Sequence, residues 1–487
     1  MNKKKLSNRA FKAVIWSALD RIFLTFFVFF VGILLARLLS PKEFGLIGIV
    51  TFFIAIFSQL IDGGFTQAII RKDRATQADY STIFFFNLIS AGLLYLILYL
   101  TSEDISVFFG EPDLNLIIKC SGLILIFHSL GIVQQAKLTR KLDFKSQMKI
   151  SLISSILSGF LGLYLAFNQY GVWSLVLMQL SNRLLMTILL WILIKWIPSP
   201  TFSLESFKQM FSFGYKMMLS SLIYSANRNL HLFIIGKYIS TSDLGYFTRA
   251  EKFSQAPSEG LSAVIERVSY PTLSSIKNNS SDLSVGYKRI IQTSMFITFP
   301  LMITLAFIAD NVIITLIGSQ WSQAIPYFQL LCFLGILVPL HVSNLNLLKV
   351  VGRSDLFLKL EILKAFLSLP AFAVCFYVGI REFIIAMIVT SFLAFFLNSY
   401  LSGRYVNYSS LNQLYDLSPM FIVSFLVGYS AFLVGNLVES IYSMETHTTL
   451  MVQIIFSLAI YFIVSELFRF KEYLYIKRKI KQVLTDE

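Results

Sequence analysis

Arg21, Arg183, Arg228, Arg249, Lys252 and Arg267 stand inside stretches of sequence that are otherwise apolar, and only Asp20, Glu251, Glu259 and Glu266 accompany them there. An ionised group in hydrocarbon costs at least about 2.5–3.5 kcal/mol, so such residues face water or a partner. Cations are in surplus, and the set wants an anion. Arginine suits phosphate, because its planar fork donates bidentately and burial does not remove its charge. Asn227 and His231 flank Arg228 and add neutral hydrogen-bonding groups. Depth agrees: Arg21 falls toward one end of its apolar segment, Arg183 near the middle, and Arg228 and Lys252 toward the other end, as a path for a phosphate group requires. A plainer reading stands beside this one. The charges could be internal pairs that hold helices together, Arg249 with Glu251 or Glu259 for instance, and His231 a satisfied polar residue. Asp20, Glu251 and Glu259 are the carboxylates able to carry a coupling proton or sodium ion. No Cys/His cluster, Walker sequence or serine elbow is present, so no metal, cofactor or nucleotide is implied. Cys120, Cys332 and Cys375 read as packing residues.

The elements that must position these groups are membrane helices. Residues are 56% hydrophobic and only 14% charged, with a mean hydropathy of +0.70. Runs of roughly 20 apolar residues fall at 13–36, 44–62, 82–100, 115–135, 148–167, 172–194, 211–235, 244–270, 290–309, 325–348, 357–378, 383–403, 419–436 and 449–468. These predict an all-α polytopic protein of about 14 spans. Basic residues gather in alternate connections, as in Arg71, Lys72 and Arg74 or Lys137, Arg140 and Lys141, whereas the other set holds only Arg37, Lys42, Lys237 and Arg381. The positive-inside rule then places both termini in the cytoplasm. The first apolar run holds Asp20 and Arg21 and does not read as a cleavable signal peptide. The net charge of +14 therefore reports topology and attraction to anionic lipid, not nucleic acid.

Within the run at 244–270, Arg249, Lys252, Ala256, Glu259, Ala263, Glu266 and Arg267 share one helical sector. Phe253, Pro257, Leu261, Val264 and Val268 share the opposite one. On the preceding helix Ser221, Tyr224, Asn227, Arg228 and His231 cluster on one side, so Arg228 and Lys252 are expected to face the same water-filled space. Pro257, Pro300, Pro339 and Pro370 fall within helices and permit kinks. The basic amphipathic tail at 470–480 is expected on the inner membrane surface.

Two stretches repeat. Ile33-Leu34-Leu35-Ala36-Arg37-Leu38-Leu39-Ser40-Pro41-Lys42-Glu43-Phe44-Gly45-Leu46 aligns without a gap on Phe233-Ile234-Ile235-Gly236-Lys237-Tyr238-Ile239-Ser240-Thr241-Ser242-Asp243-Leu244-Gly245-Tyr246. The motif reads as a tight turn between two spans, and its repetition points to a transporter of two equivalent halves.

The Ala36–Gly45 turn, the run Asp62-Gly63-Gly64-Phe65-Thr66-Gln67-Ala68-Ile69-Ile70-Arg71 and the fourteen-span layout resemble the polysaccharide exporters. These are the Wzx-type lipid-linked oligosaccharide flippases of the multidrug/oligosaccharidyl-lipid/polysaccharide (MOP) superfamily, and the chain looks nearest to the colanic-acid type of lipopolysaccharide biosynthesis exporter. The resemblance implies an N-terminal lobe at 1–200, a C-terminal lobe at 201–410 facing it across a cationic cavity, and two further helices with a basic tail at 411–487. It also implies alternating access coupled to an ion gradient, in the bacterial cytoplasmic membrane. The expected cargo is an undecaprenyl-pyrophosphate-linked oligosaccharide for surface polysaccharide, with a polymerase and a chain-length regulator as further partners. An ion-coupled multidrug exporter of the same fold is the alternative. A membrane polymerase or glycosyltransferase would need a larger outer loop than those near 101–114 and 437–448, so no enzyme is expected.

Overall fold

The computed structural model describes residue 24 and residues 26–72, 74–442 and 445–485; Asp20 and Arg21 lie outside the described residues. Every regular element among them is helical. Among the described residues eleven helical segments are long and apolar enough to cross a membrane, and the chain is a multi-pass membrane protein. Of the fourteen expected spans, three do not meet that measure. The first is described only in its later part, Phe26–Leu38 (α1). The other two are Leu204–Tyr238 (α8) and Thr241–Ile276 (α9), long enough at 35 and 36 residues but too polar.

Packing divides the chain into two compact units, residues 1–245 and 246–487. In the first unit, α2 (Pro41–Asp62), α4 (Gln77–Phe109), α5 (Asp113–Arg140), α6 (Phe144–Phe167) and α7 (Val172–Ile194) are joined by α8. The helix α4 packs on α5, α6 on α7, and α2 on α8. The last pair is antiparallel, with small residues at its crossings. Gly214 meets the Gly63 and Gly64 backbone, Ser225 Oγ donates to the Ala55 carbonyl at 3.5 Å, and Gly236 lies against Ile49. Without a hydrophobic drive between helices in lipid, such close backbone approach is what holds them. A double left-handed glycine, Gly63 and Gly64 at φ 55° and 71°, ends α2 and starts the short α3 (Phe65–Arg71).

The repeated motif is a pair of matched helix starts. Ser40 Oγ accepts from Glu43 N, and Glu43 reaches back to Ser40 N at 2.6 Å. Ser240 Oγ accepts from Asp243 N at 2.9 Å and donates to the Asp243 carboxylate at 2.6 Å. Each serine satisfies helix-end donors that lack intrahelical partners, so the motif is structural, as its composition suggests.

The second unit holds α10 (Ser280–Phe307), α11 (Ala309–Ile317), α12 (Ile325–Ile336), α13 (Val338–Val350), α14 (Ser354–Tyr377), α15 (Ile380–Gly403), α16 (Ser410–Tyr442), α17 (Thr446–Leu467) and α18 (Lys471–Thr485). The helix α10 is central, touching α12, α13, α16 and α18. Pro257, Pro300 and Pro370 lie inside α9, α10 and α14. Pro339 instead begins α13, just after the break that divides the span expected at 325–348.

Candidate functional site

On α8, Arg228 is exposed and its Nη1 donates to the Tyr224 hydroxyl at 3.3 Å. Asn227 is half-buried. His231 is buried, together with Leu232 and Ile235, on the part of the helix that packs within the first unit. The polar side of α8 is therefore divided: Arg228 and Tyr224 look outward while His231 is enclosed.

On α9 the charged side is opposite the packed side. Ala250, Ser254, Ser258 and Ser262 are buried at a spacing of four, with Phe247 and Phe253 beside them. Lys252, Glu259 and Glu266 are exposed, whereas Arg249, Glu251 and Arg267 are half-buried. Arg249 and Glu251 interact electrostatically, and Gln255 Nε2 donates to Glu251 Oε1 at 3.2 Å. Glu266 pairs with Lys349 at 3.5 Å. Val264, expected on an apolar face, is exposed, because a serine stripe allows closer backbone packing than branched side chains do.

Arg183 is half-buried on α7, with Nη1 3.9 Å from Met186 Sδ. Its charge acts on His128 of α5, a neighbour that spacing along the sequence does not reveal. Beside it Asn182 Nδ2 donates to Ser158 Oγ at 3.1 Å. Arg183 thus belongs to a polar seam through α5, α6 and α7.

A second concentration of cations lies at the end of the first unit remote from the Ser40 turn. Lys137 Nζ sits 4.5 Å from the Tyr80 ring centroid and 4.9 Å from that of Trp196. Arg140 Nη1 donates to the Ile69 carbonyl at 3.2 Å and to the Tyr80 hydroxyl at 3.4 Å. The Arg71 guanidinium lies 4.8 Å over Phe213, and Lys72 bonds the buried Asp79 at 2.9 Å. By sequence these cations read as topology signals only. Their i, i+3 spacing on α5 was the available clue, but the rings come from α4, α8 and the segment after α7.

Residues 34–326 match the family described as Polysaccharide biosynthesis protein. The chain belongs to the polysaccharide biosynthesis protein family. It is 28% identical to the teichuronic acid biosynthesis protein TuaB of Bacillus subtilis over 62% of its own length, and spans 63% of that relative. It is 25% identical to the lipopolysaccharide biosynthesis protein WzxC of Escherichia coli over 85% of this chain and 86% of that one. Its fold matches the lipid II flippase MurJ in an inward closed conformation with a TM-score of 0.71 at 14% identity, covering 93% of this chain and 98% of that one. An inward-facing multidrug resistance MATE transporter of the MOP superfamily matches at 0.58 and 16% identity, over 81% of this chain and 100% of that one.

In this member of the family the second unit also carries a buried polar network. The Tyr287 hydroxyl donates to Asn344 Oδ1 at 2.7 Å, and Ser402 Oγ donates to the same oxygen at 2.6 Å. His341 bridges Ser391 through Nε2 at 2.9 Å and Asn398 through Nδ1 at 3.0 Å. These hydrogen bonds tie α10, α13 and α15 together, a structural use of polarity inside a bundle, although Asn398 Oδ1 has no hydrogen-bond partner among the described residues. Among the described residues no cluster of His, Cys, Asp or Glu is suited to a metal ion.

Proposed function

We propose that this family member is a flippase, not an enzyme, that moves an undecaprenyl-pyrophosphate-linked oligosaccharide from the inner to the outer leaflet by alternating access. The observation that carries this reading is the polarity of α8 and α9. Each is as long as a membrane span, yet they hold Asn227, Arg228 and His231, and Arg249 and Lys252, where apolar residues would suffice. A pyrophosphate diester carries about two negative charges and presents oxygens that match guanidinium forks. Arg21 and Arg183 complete the cationic set. The likeness to MurJ and to surface-polysaccharide proteins supports a lipid-linked sugar. The positive-inside pattern supports cytoplasmic termini in the bacterial inner membrane, and a polymerase with its chain-length regulator would take the product. The lobes at 1–200 and 201–410 remain the units of the repeat in this reading. Asp20, Glu251 and Glu259 are the carboxylates available for a coupling ion. The MATE likeness favours a second reading, an ion-coupled small-molecule exporter.

The test is flipping of a fluorescent polyprenyl-pyrophosphate oligosaccharide in proteoliposomes. Arg228→Ala and Arg249→Ala should each slow it by about tenfold or more, the loss expected of one charge-assisted contact. Lysine should rescue in part and glutamate should be worse than alanine. Full flipping by both alanine variants at normal abundance sinks the anion role. A fall in abundance that is restored by also removing Glu259 supports pairing instead.

A further inference from the structure

We propose that Asp62 is a proton-binding site of the transport cycle, set in the elbow where α2 gives way to α3. The assignment rests on the flippase reading and deepens it, adding a fourth carboxylate to Asp20, Glu251 and Glu259.

Asp62 is the last residue of α2, and Gly63 and Gly64 follow it in the left-handed region. It is half-buried. At this level a Cβ on Gly64 would meet the Gly214 carbonyl of α8, so the two backbones touch. Gly214 is ten residues beyond Leu204, where α8 begins, about 15 Å into that helix. Along α3 the apolar Phe65 and Ile69 come before the first cation, Arg71. The carboxylate therefore lies within the apolar depth of the unit, away from its rim.

Its hydrogen bonds do not require a charge. Thr66 donates to Asp62 Oδ1 through its hydroxyl and through its N–H at 3.4 Å, and Oδ2 takes no hydrogen bond among the described residues. Asparagine or serine would receive such bonds as well, without an ionisable group in the membrane. The dipole of a seven-residue helix returns less than an ionised carboxylate costs at this depth. Among the described residues no ion pair offsets that cost. On the surrounding elements Arg71 lies over Phe213, Lys72 bonds Asp79, Lys137 lies against Tyr80 and Trp196, and Arg140 donates to the Ile69 carbonyl. Lys208, Tyr215 and Lys216 of α8 are exposed. None of these groups acts on Asp62, which answers only to Thr66. An ionisable group that neither packing nor capping needs is placed to gain and lose a proton.

The step moves one proton. Water delivers it to Oδ2, forming the neutral carboxyl, and its return to water restores the carboxylate. Charge-assisted hydrogen bonds are roughly twice as strong as neutral ones, so protonation loosens the hold of Asp62 on Thr66 and on the start of α3. The elbow glycines carry no Cβ to resist the turn. Movement of α3 reaches α8 through the Phe65 ring, whose centroid lies 5.7 Å from that of Phe207 and 6.3 Å from that of Phe211. That helix carries Asn227 and Arg228.

Full-length protein in proteoliposomes should be given a fluorescent polyprenyl-pyrophosphate oligosaccharide under a gradient of about one pH unit. One proton per lipid then sets the leaflet ratio about tenfold from even. Asp62→Asn, which keeps an acceptor for Thr66, should still flip the lipid but leave the leaflets even, and Asp62→Glu should restore the response in part. Infrared difference spectra give a readout independent of transport: acidification should raise a protonated-carboxyl band in wild type that Asp62→Asn lacks. If Asp62→Asn loses all flipping, the missing band still supports the site and a persisting band overturns it. A leaflet ratio in Asp62→Asn equal to that of wild type overturns the site. So does a wild type that flips without regard to pH, or that follows a sodium gradient instead, and either result leaves the flippase reading intact. Failure of the wild type to flip removes the flippase reading, and the infrared band alone then decides whether Asp62 binds a proton.

Discussion

Gly45 and Gly245 occupy equivalent places in the repeated motif and make reciprocal contacts. A Cβ on Gly45 would collide with the Thr241 carbonyl, and a Cβ on Gly245 with the Pro41 carbonyl. Thr241 and Pro41 are themselves equivalent, each the first residue of its helix. The contact thus has the symmetry of a two-fold pairing, built from one chain by internal repetition. Gly48 extends it against Leu244, and Gly236 against Ile49 and Leu244.

This pairing predicts coupled damage. Gly45→Ala and Gly245→Ala should each lower thermal stability by about 1–3 kcal/mol, the usual cost of overpacking. Once one glycine is replaced the helix starts have already separated, so the double variant should lose clearly less than the sum. Strict additivity in thermal unfolding would show that the two contacts are independent.

Asn87 offers a test of a different kind. It is fully buried on α4, and neither side-chain polar atom finds a hydrogen-bond partner among the described residues. An unsatisfied buried amide costs about 1–3 kcal/mol, so Asn87→Leu should raise the unfolding temperature. Loss of transport alongside that gain would mark Asn87 as a group kept for function. A fall in unfolding temperature would mean that Asn87 already has a partner.

The C-terminal helix should respond to pH. Glu472 is buried where α18 meets α10, and that burial raises its pKa above the usual carboxylate range. Asp416 pushes in the same direction, while Lys471 and Lys288 oppose it. A carboxyl whose pKa is higher when docked favours docking below its ordinary pKa, and the contribution is lost as pH climbs through the raised value. Intrinsic-rate-corrected amide exchange across 471–485 should accelerate as pH rises above the ordinary carboxylate range. In Glu472→Gln that pH dependence should flatten, and a dependence identical to wild type would exclude Glu472 as its source. Arg289, 4.9 Å over the Tyr475 ring, should hold the helix in place at low and at high pH.

Much of this architecture was legible from composition and spacing. The bilayer demands long apolar helices, so hydropathy alone located most of the spans, and the two fully described exceptions, α8 and α9, were the ones already marked by Asn227, Arg228, His231, Arg249 and Lys252. The repeated Ser and acidic residues announced two matched helix starts, because capping chemistry is local and needs only residues three apart. Tertiary structure decided what depends on neighbours from elsewhere in the chain. It buried the serine stripe of α9, since close backbone approach rather than apolar bulk joins helices in lipid. It enclosed His231 while leaving Arg228 exposed, although both lie on the polar side of one helix. It also placed Lys137 between Tyr80 and Trp196, 57 and 59 residues distant in sequence. A ring–cation contact is made by side chains that only folding brings together, so no periodicity within a single helix could have foretold it.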